Sequence, residues 1–426
     1  MWNASSYFQP ALKPSRTIVT SFTPQKPSIA TNEGIGSEND AYEEGDWVLN
    51  LSHDAVSSTV SCALSNGEIQ IYDQERLHPV ASYCIPRITN SGSSATVLAN
   101  ELAYGSPGSH LLLAACSDGR IVVWDWRQSP NSGSQLHSSI PAGQATLTLS
   151  MGYSGALVAV GSDKEQVHFF DLRYGGNPVG SYTDAHTLEV TQVRFVDLSS
   201  STLVSAGEDG LACLFDTRQA TEETAMQTVL NVRAPVRRIG FCGNNRQDLY
   251  VLTGNETASI WDLNTSTCKR DFGYALRHDL GQAIHSQSPA PMDYLVDAKW
   301  DGGSNELQLV AGTADGNTAL FRLTEDFQRA AWQPCHALVR GHRGVVRAWA
   351  PLSSSILLTA GEDARLCEWN RMGLHAHSAP SSQMPTATTD AATQFSTTPR
   401  NPVVGGGGPV RRANQRQRNK AATDPY

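Results

Sequence analysis

One unit recurs seven times along the 426 residues, and it restricts the fold more tightly than any other feature of the chain. It consists of an apolar run, a small-residue turn that often carries Asp, and a second run ending in an aromatic residue and usually Asp. The copies span Val60 to Asp73, Leu111 to Asp125, Leu157 to Asp171, Leu203 to Asp216, Leu249 to Asp262, Leu307 to Arg322 and Ile356 to Asn370. Their ends lie 52, 46, 45, 46, 60 and 48 residues apart. A fixed period of this size marks a repeat architecture, in which each unit buries its apolar face against the next.

Each copy has the chemistry of a β-hairpin. Leu203-Val204-Ser205-Ala206 and Leu211 to Phe215 are β-type, and Gly207-Glu208-Asp209-Gly210 between them is turn chemistry. A hairpin alone is marginal in water and needs neighbours. Two further strand candidates lie between copies. After the third copy they are Pro178 to Thr183 and Val190 to Phe195, and the spacing of Val190, Val193 and Phe195 returns as Val236, Ile239 and Phe241, and as Leu295, Ala298 and Trp300. Four strands per period is the pattern of a propeller blade. The expected fold is all-β, a seven-bladed β-propeller.

Ring closure needs a strand from elsewhere. Beyond Asn370 the segment His375 to Ser382 is not strand-like, so the last blade lacks its outer strand. Thr17-Ile18-Val19-Thr20-Ser21-Phe22 is assigned to that place, which protects the sheet edges where first and last blades meet. The expected organisation is an N-terminal segment over 1–46, comprising the closing strand and an acidic linker (Lys26 to Asp46), the propeller over 47–370, and a disordered tail over 371–426 rich in Ser, Thr, Ala, Pro and Gly.

Several motifs resemble the WD-repeat family: Trp124-Asp125, Phe170-Asp171, Trp261-Asp262 and Gly341-His342. The resemblance covers roughly Trp47 to Asn370. Ser65-Asn66-Gly67 with Ile71-Tyr72-Asp73, Thr191 to Phe195, and Gly361-Glu362-Asp363-Ala364 are similar to the WD repeat-containing protein 89 group. The resemblance implies a non-catalytic protein-interaction scaffold. It also implies a buried relay of His, Ser/Thr, Asp and Trp in each well-formed blade. His342, Thr359, Asp363 and Trp369 fit all four places in the last blade. In the fourth, His186, Ser205 and Asp209 fit, and Phe215 replaces Trp. The second keeps Asp118 and Trp124 with Ala114 in the hydroxyl place. The sixth keeps Asp315, with Ala311 and Phe321. The first has Asn66 and Tyr72, the fifth Asn255 and Trp261. The third has Asp163 seven residues before Phe170, which implies one extra turn residue.

Composition excludes whole classes. A 40% hydrophobic content with nine Trp excludes disorder throughout the chain. The longest apolar stretch, Leu111 to Cys116, is far short of the roughly 20 residues that span a bilayer. Met1 to Phe8 has no signal-peptide pattern. The eight cysteines (62, 84, 116, 213, 242, 268, 335 and 367) form no Cys-x-x-Cys pair. A soluble, intracellular protein of nucleus or cytoplasm is expected, as a monomer, without cofactor or metal. No P-loop, dinucleotide fingerprint, zinc-protease helix or nucleophile elbow is present, so no catalytic residue is assigned. His375 and His377 are read as solvated tail residues.

Three features suggest partners. Asp125-Trp126-Arg127, Asp171-Leu172-Arg173 and Asp216-Thr217-Arg218 each end a repeat. In the WD family, a Trp-Asp-x-Arg ending occurs in substrate receptors that dock on the adaptor of cullin-type ubiquitin ligases, and only the first copy is strict. Arg127, Arg173 and Arg218 are thus either partner-binding residues or local Asp–Arg pairs. The long step between the fifth and sixth copies contains Ala275 to Pro291, where Leu276, Leu280 and Ile284 recur at helical spacing. This apolar stripe, with Arg277 and His278 as its polar rim, is either a docking site or a helix folded back on its own blade. Finally, Arg411, Arg412, Arg416, Arg418 and Lys420 form a basic run in the tail. It is either a nuclear address, an RNA contact of a nuclear or nucleolar assembly factor, or a solvated tail. Nucleic-acid binding is otherwise not expected. The whole chain carries −9, and residues 1–370 carry 25 basic against 39 acidic residues, or −14.

Overall fold

A hairpin of the repeat exposes two apolar faces, and burial of both requires sheets on either side. In the computed structural model this is how the chain is arranged; residues 11–20, 46–85, 96–128, 135–140, 143–175, 177–284 and 290–371 are described. Seven sheets follow one another along these residues. Blade four shows the plan, with Gln192–Phe195 innermost, then Thr202–Ala206, Leu211–Asp216 and the outermost Met226–Asn231. The two middle strands are buried almost throughout, while the outer strand alternates between exposed and covered residues, of which Leu230 is fully buried. Burial on both faces makes the middle strands read as continuous apolar runs. Innermost strands of successive blades touch all the way round, and Val346–Pro351 of blade seven meets Val48–Asp54 of blade one. The core is therefore divided into wedges between blades. Phe169, Tyr182, Val193 and Phe215 fill the one between blades three and four, and Val296, Leu320, Trp349 and Trp369 the one between six and seven.

Hairpin geometry is the same in all seven blades. Gly67, Gly119, Glu165, Gly210, Glu256, Gly316 and Ala364 occupy one equivalent turn position, each left-handed with φ between 56° and 87°. Glycine adopts this region freely, and the two glutamates and the alanine adopt it at a cost. This equivalence corrects the reading of the third blade. Val158 pairs with Phe170 as Leu203 pairs with Phe215, so the hairpin has no extra residue. Lys164 occupies the place of Asp209, and Asp163 sits one residue earlier, accepting from Ala145 N at 2.8 Å. Blade six also departs from the expected spacing. Ala298, not Trp300, pairs at the level of Phe195 and Phe241, since Ala298 faces Leu309. A slip of two residues keeps every side chain on its own face, so the apolar pattern alone conceals it.

Closure follows the expected route with one addition. Arg16–Val19 pairs antiparallel with Arg365–Asn370, in register from Arg16 with Glu368 to Val19 with Arg365. Arg16 forms an ion pair with Glu368 at 2.6 Å, and Thr20 donates through N and Oγ1 to Ala364 O. Gln70 of blade one donates to Thr20 O, linking the segment across the seam. The addition is Ala11–Leu12, which pairs parallel with Gln333–Leu338 as a fifth strand of blade six. Ser21 and Phe22, most of the acidic linker and the tail beyond Arg371 lie outside the described residues.

The edge of each sheet that faces the axis would leave backbone groups without partners, a cost the neighbouring blades remove. Leu102 N donates to Asn50 Oδ1 at 3.4 Å, Leu149 N to Glu101 Oε2 at 3.0 Å, Val193 N to Thr148 Oγ1 at 3.2 Å, and Val346 N to Tyr294 OH at 2.8 Å. Leu295 N donates to Glu256 Oε2 at 2.6 Å. In each case the acceptor belongs to the preceding blade.

Candidate functional site

The relay of blade seven is assembled from an entry loop and the hairpin of the two middle strands. Gly341 leads into His342 on the entry loop, Thr359 lies on the second strand, Asp363 in the turn and Trp369 on the third strand. Trp369 Nε1 donates to Thr359 Oγ1 at 2.8 Å, His342 Nε2 is 2.8 Å from the same oxygen, and His342 Nδ1 is 3.0 Å from Asp363 Oδ1. Asp363 also accepts from Arg343 N at 2.8 Å and Arg365 N at 3.3 Å. A Cβ on Gly341 would lie 2.6 Å from the Trp369 ring, so only glycine leaves room for the indole. Burial opposes the imidazolium of His342, and the Asp363 carboxylate at Nδ1 overrides it, raising the pKa to about 9. Burial likewise raises the Asp363 carboxyl, but His342 and the backbone donors hold it below its ordinary value.

Blade four repeats all of these contacts except the indole's, Thr187 N and Leu211 N both donating to Asp209 at 3.0 Å. His186 Nε2 is 2.6 Å from Ser205 Oγ and Nδ1 is 3.1 Å from Asp209 Oδ2, with Phe215 in the indole's place. The histidines, Ser205 and Thr359 are buried at the centre of packed wedges. Both clusters are satisfied hydrogen-bond frames that fix a loop to a hairpin. Blade six lacks the frame: Asp315 is held instead by Thr313 Oγ1 and by Asn317 Nδ2 at 3.0 Å. Trp124 in blade two is buried with Nε1 unpartnered, as the Ala114 in its hydroxyl place leads one to expect.

The three Asp-x-Arg endings form the most regular surface feature. In each, Arg Nε and Nη2 grip both oxygens of the Asp two residues earlier. The Nε and Nη2 distances are 2.9 and 2.6 Å in blade two, 3.0 and 2.6 Å in blade three, and 2.9 and 2.8 Å in blade four. The local pair foreseen for them therefore forms. Yet the side chains of Arg127, Arg173 and Arg218 remain 58%, 67% and 69% exposed, each with its Nη1 edge free of the fork. Hydrogen bonding to Arg127 lowers the Asp125 pKa to about 2, and Arg173 and Arg218 depress Asp171 and Asp216 in the same way. Equivalent positions on three successive blades place these guanidinium groups in a row on one face. Exposed Tyr174 lies beside Arg173, whose guanidinium is 5.7 Å from its ring centre. Glu75 and Asn264 take the Arg place in blades one and five, which ends the row.

The stripe of the long insertion is corrected as a docking site. The helix Leu276–Ile284 forms, but Leu276, Leu280 and Ile284 are at most 1% exposed and pack with Met292, Phe327 and Trp332 in the core of blades five and six. Gly281 fits under the returning chain, where a Cβ would meet Ala290 O at 1.9 Å. Arg277 Nη1 donates to Asp293 O at 2.8 Å and ties the helix to the chain that follows it, and His278 contacts Gln282 within the helix. An amphipathic period shows that a stripe is covered and not what covers it. Arg411, Arg412, Arg416, Arg418 and Lys420 lie outside the described residues. Sequence reasoning also missed a cluster of charges on the inner strands, including Glu101 and Arg194, because its members stand alone in separate repeats.

Among the described residues no group of three or more His, Cys, Asp or Glu is placed to hold a metal ion, and no helix is long and apolar enough to cross a membrane. The family model described as WD domain, G-beta repeat matches residues 86–125. The chain is 30% identical over 357 residues to the WD repeat-containing protein GTS1 of Arabidopsis thaliana, covering 81% of this chain and 83% of the relative. It is 28% identical over 346 residues to the WD repeat-containing protein 89 homolog of Dictyostelium discoideum, covering 79% and 86% respectively. A shorter stretch of 115 residues is 25% identical to a DDB1- and CUL4-associated factor 11 homolog of Caenorhabditis briggsae, covering 26% of this chain and 20% of that one. Among solved structures, a chain of the mitotic checkpoint complex superposes with a TM-score of 0.61 at 16% identity, covering 84% of this chain and 96% of that chain. With seven blades built on four-stranded sheets, one of them extended by a fifth strand, the blade-seven relay and a relative matched along most of both chains, this protein belongs to the WD-repeat β-propeller family.

Proposed function

We propose that the propeller is a non-catalytic scaffold that binds other proteins through the face carrying Arg127, Arg173, Tyr174 and Arg218. The observation that carries this reading is the row of guanidinium groups, each immobilised by its own Asp and each more than half exposed. A pre-oriented arginine loses little freedom on binding and presents a planar donor edge, and Arg and Tyr are enriched where interfaces concentrate their energy. The test is affinity capture of the full chain with mass spectrometry, against a triple variant with Arg127, Arg173 and Arg218 changed to Ala. Partners lost from a variant of unchanged melting temperature support the reading; an identical partner set removes it.

A second reading is favoured by the strict Trp124-Asp125-Trp126-Arg127 ending and by the short similarity to a DDB1- and CUL4-associated factor homolog. In it the arginine row docks on the adaptor of a cullin-type ubiquitin ligase and the chain acts as substrate receptor. Recovery of that adaptor with the natural chain, and its loss on Arg127→Ala and Arg173→Ala, distinguishes this reading from a scaffold with other partners.

A further inference from the structure

The inner wall of the ring collects charges from blades far apart in sequence. Arg194 of blade four reaches past Thr148 of blade three to Glu101 of blade two, with Nη2 at 2.6 Å and Nη1 at 3.2 Å from its oxygens. On the same wall Arg237 pairs with Glu256 at 3.3 Å and Arg347 with Glu362. Two cations are left over. Arg238 of blade five reaches only the Arg237 carbonyl, 3.4 Å from Nη1, and the Lys299 ammonium of blade six lies 5.5 Å from the centre of the Trp349 ring. Neither has a carboxylate at ion-pair distance among the described residues, and the Nε of Arg237 is buried without a hydrogen-bond partner.

The acids nearby offset them only in part, Asp297 acting on Lys299 from beyond ion-pair distance. Glu101 is gripped by Arg194, and Asp297 Oδ1 accepts from Ala298 N at 2.8 Å. Lys299 feels Asp297, Arg194, Arg238 and Glu101, so charges of blades six, four, five and two act on it together. Burial above all, aided by the two arginines, pulls the Lys299 pKa down against Asp297. Partly buried cations with no counter-charge in contact are costly, and the cost falls when an anion joins them. The chain as a whole carries −9, so general attraction for anions is absent and any anion binding is local to this wall.

We propose that the channel wall of blades five and six binds a small, multiply charged oxyanion of the phosphate type, held by Arg238, Lys299 and the Nε–H of Arg237. A guanidinium edge and a point-charge ammonium are the two donors that proteins aim at phosphoryl oxygens. Trp349 packs under the lysine and keeps its head from relaxing towards the wall.

The test is thermal unfolding of the full chain with inorganic phosphate, pyrophosphate or glycerol 3-phosphate, each at one ionic strength set with sodium chloride. Pyrophosphate at ~100 times its Kd is expected to raise the melting temperature by about 5 °C. Arg238→Gln and Lys299→Met each abolish that rise, whereas Lys164→Gln, on an exposed turn, leaves it intact. Without anion, Lys299→Met melts no lower than the natural chain, because Met keeps the Trp349 contact and removes the unpaired charge. A phosphomonoester that binds more tightly than inorganic phosphate assigns the site to a phosphorylated small molecule; the reverse order assigns it to the free ion. No rise with any of the three anions overturns the proposal, as does a rise that both channel variants retain. Should Lys299→Met fail to fold, Arg238→Gln with calorimetric titration of pyrophosphate decides alone.

Discussion

Replacing Asp363 by Ala separates a frame that holds a blade from an acid that merely decorates a turn. The carboxylate accepts from His342 Nδ1, Arg343 N and Arg365 N, and the imidazole it orients is 4% exposed. Its loss leaves a buried N–H with no acceptor and two turn amides without partners. One charge-assisted bond at roughly 1.5–3 kcal/mol plus a stranded buried donor puts the cost at about 3–4 kcal/mol. Asp315 of blade six holds only Thr313 and Asn317 side chains, and Asp315→Ala is expected to cost about 1 kcal/mol. Urea unfolding of the full chain at pH 6, read by tryptophan fluorescence, measures both. The pair also has a pH signature. Because the folded pKa of His342 is raised to about 9 from an unfolded value near 6.5, its contribution is complete below pH ~6.5 and fades as pH rises through ~9. That loss is at most about 3 kcal/mol. It should be much smaller in Asp363→Ala, where the carboxylate at Nδ1 no longer holds the imidazolium. Losses at Asp363 and Asp315 within about 1 kcal/mol of each other, or an unchanged pH slope in Asp363→Ala, would refute the assignment of the relay.

Three further outcomes are expected. Leu280→Ser, with its side chain in the core of blades five and six, should lower stability by about 2–4 kcal/mol by calorimetry, whereas a docking residue would leave the melting temperature unchanged. Deletion of residues 1–20 removes the closing strand and the fifth strand of blade six, and should lower the melting temperature well below that of a chain ending at Arg371; equal values would dismiss strand closure. Glu165→Gly relieves a left-handed residue at φ 67° and should stabilise by up to about 1 kcal/mol, in contrast to Glu256→Gly, which also loses the bond to Leu295 N.

Much of this architecture is legible in the residues because the repeat states the same hairpin seven times. Apolar runs fixed the middle strands, and the four-residue and six-residue spacings from Thr359 to Asp363 to Trp369 located the complete relay. Thr17 to Val19 stood out as an unassigned β-type segment, and it closes the ring. What escaped has a physical reason in each case. Ala11–Leu12 is too short to show alternation. The two-residue slip in blade six preserves side-chain parity. Asp163 imitates a relay acid because the neighbouring Lys164 holds the true position. Leu276, Leu280 and Ile284 announce a covered face without naming the cover, and the channel charges become a group only when the ring brings separate repeats together.

The closing strand also sets a timetable for biosynthesis. Val19 leaves the ribosome some 346 residues before its partner Arg365. At about 5–20 residues per second, the strand waits roughly 20–70 s for a sheet to join. Throughout that interval the early blades present an open inter-blade face, and the segment from Ala11 to Thr20 is free to pair with the wrong edge. A bulky tag fused near Ala11 would therefore act during synthesis more than afterwards, by delaying two pairings that cannot begin until blades six and seven have been made. A tag placed beyond Arg371 would leave that interval unchanged.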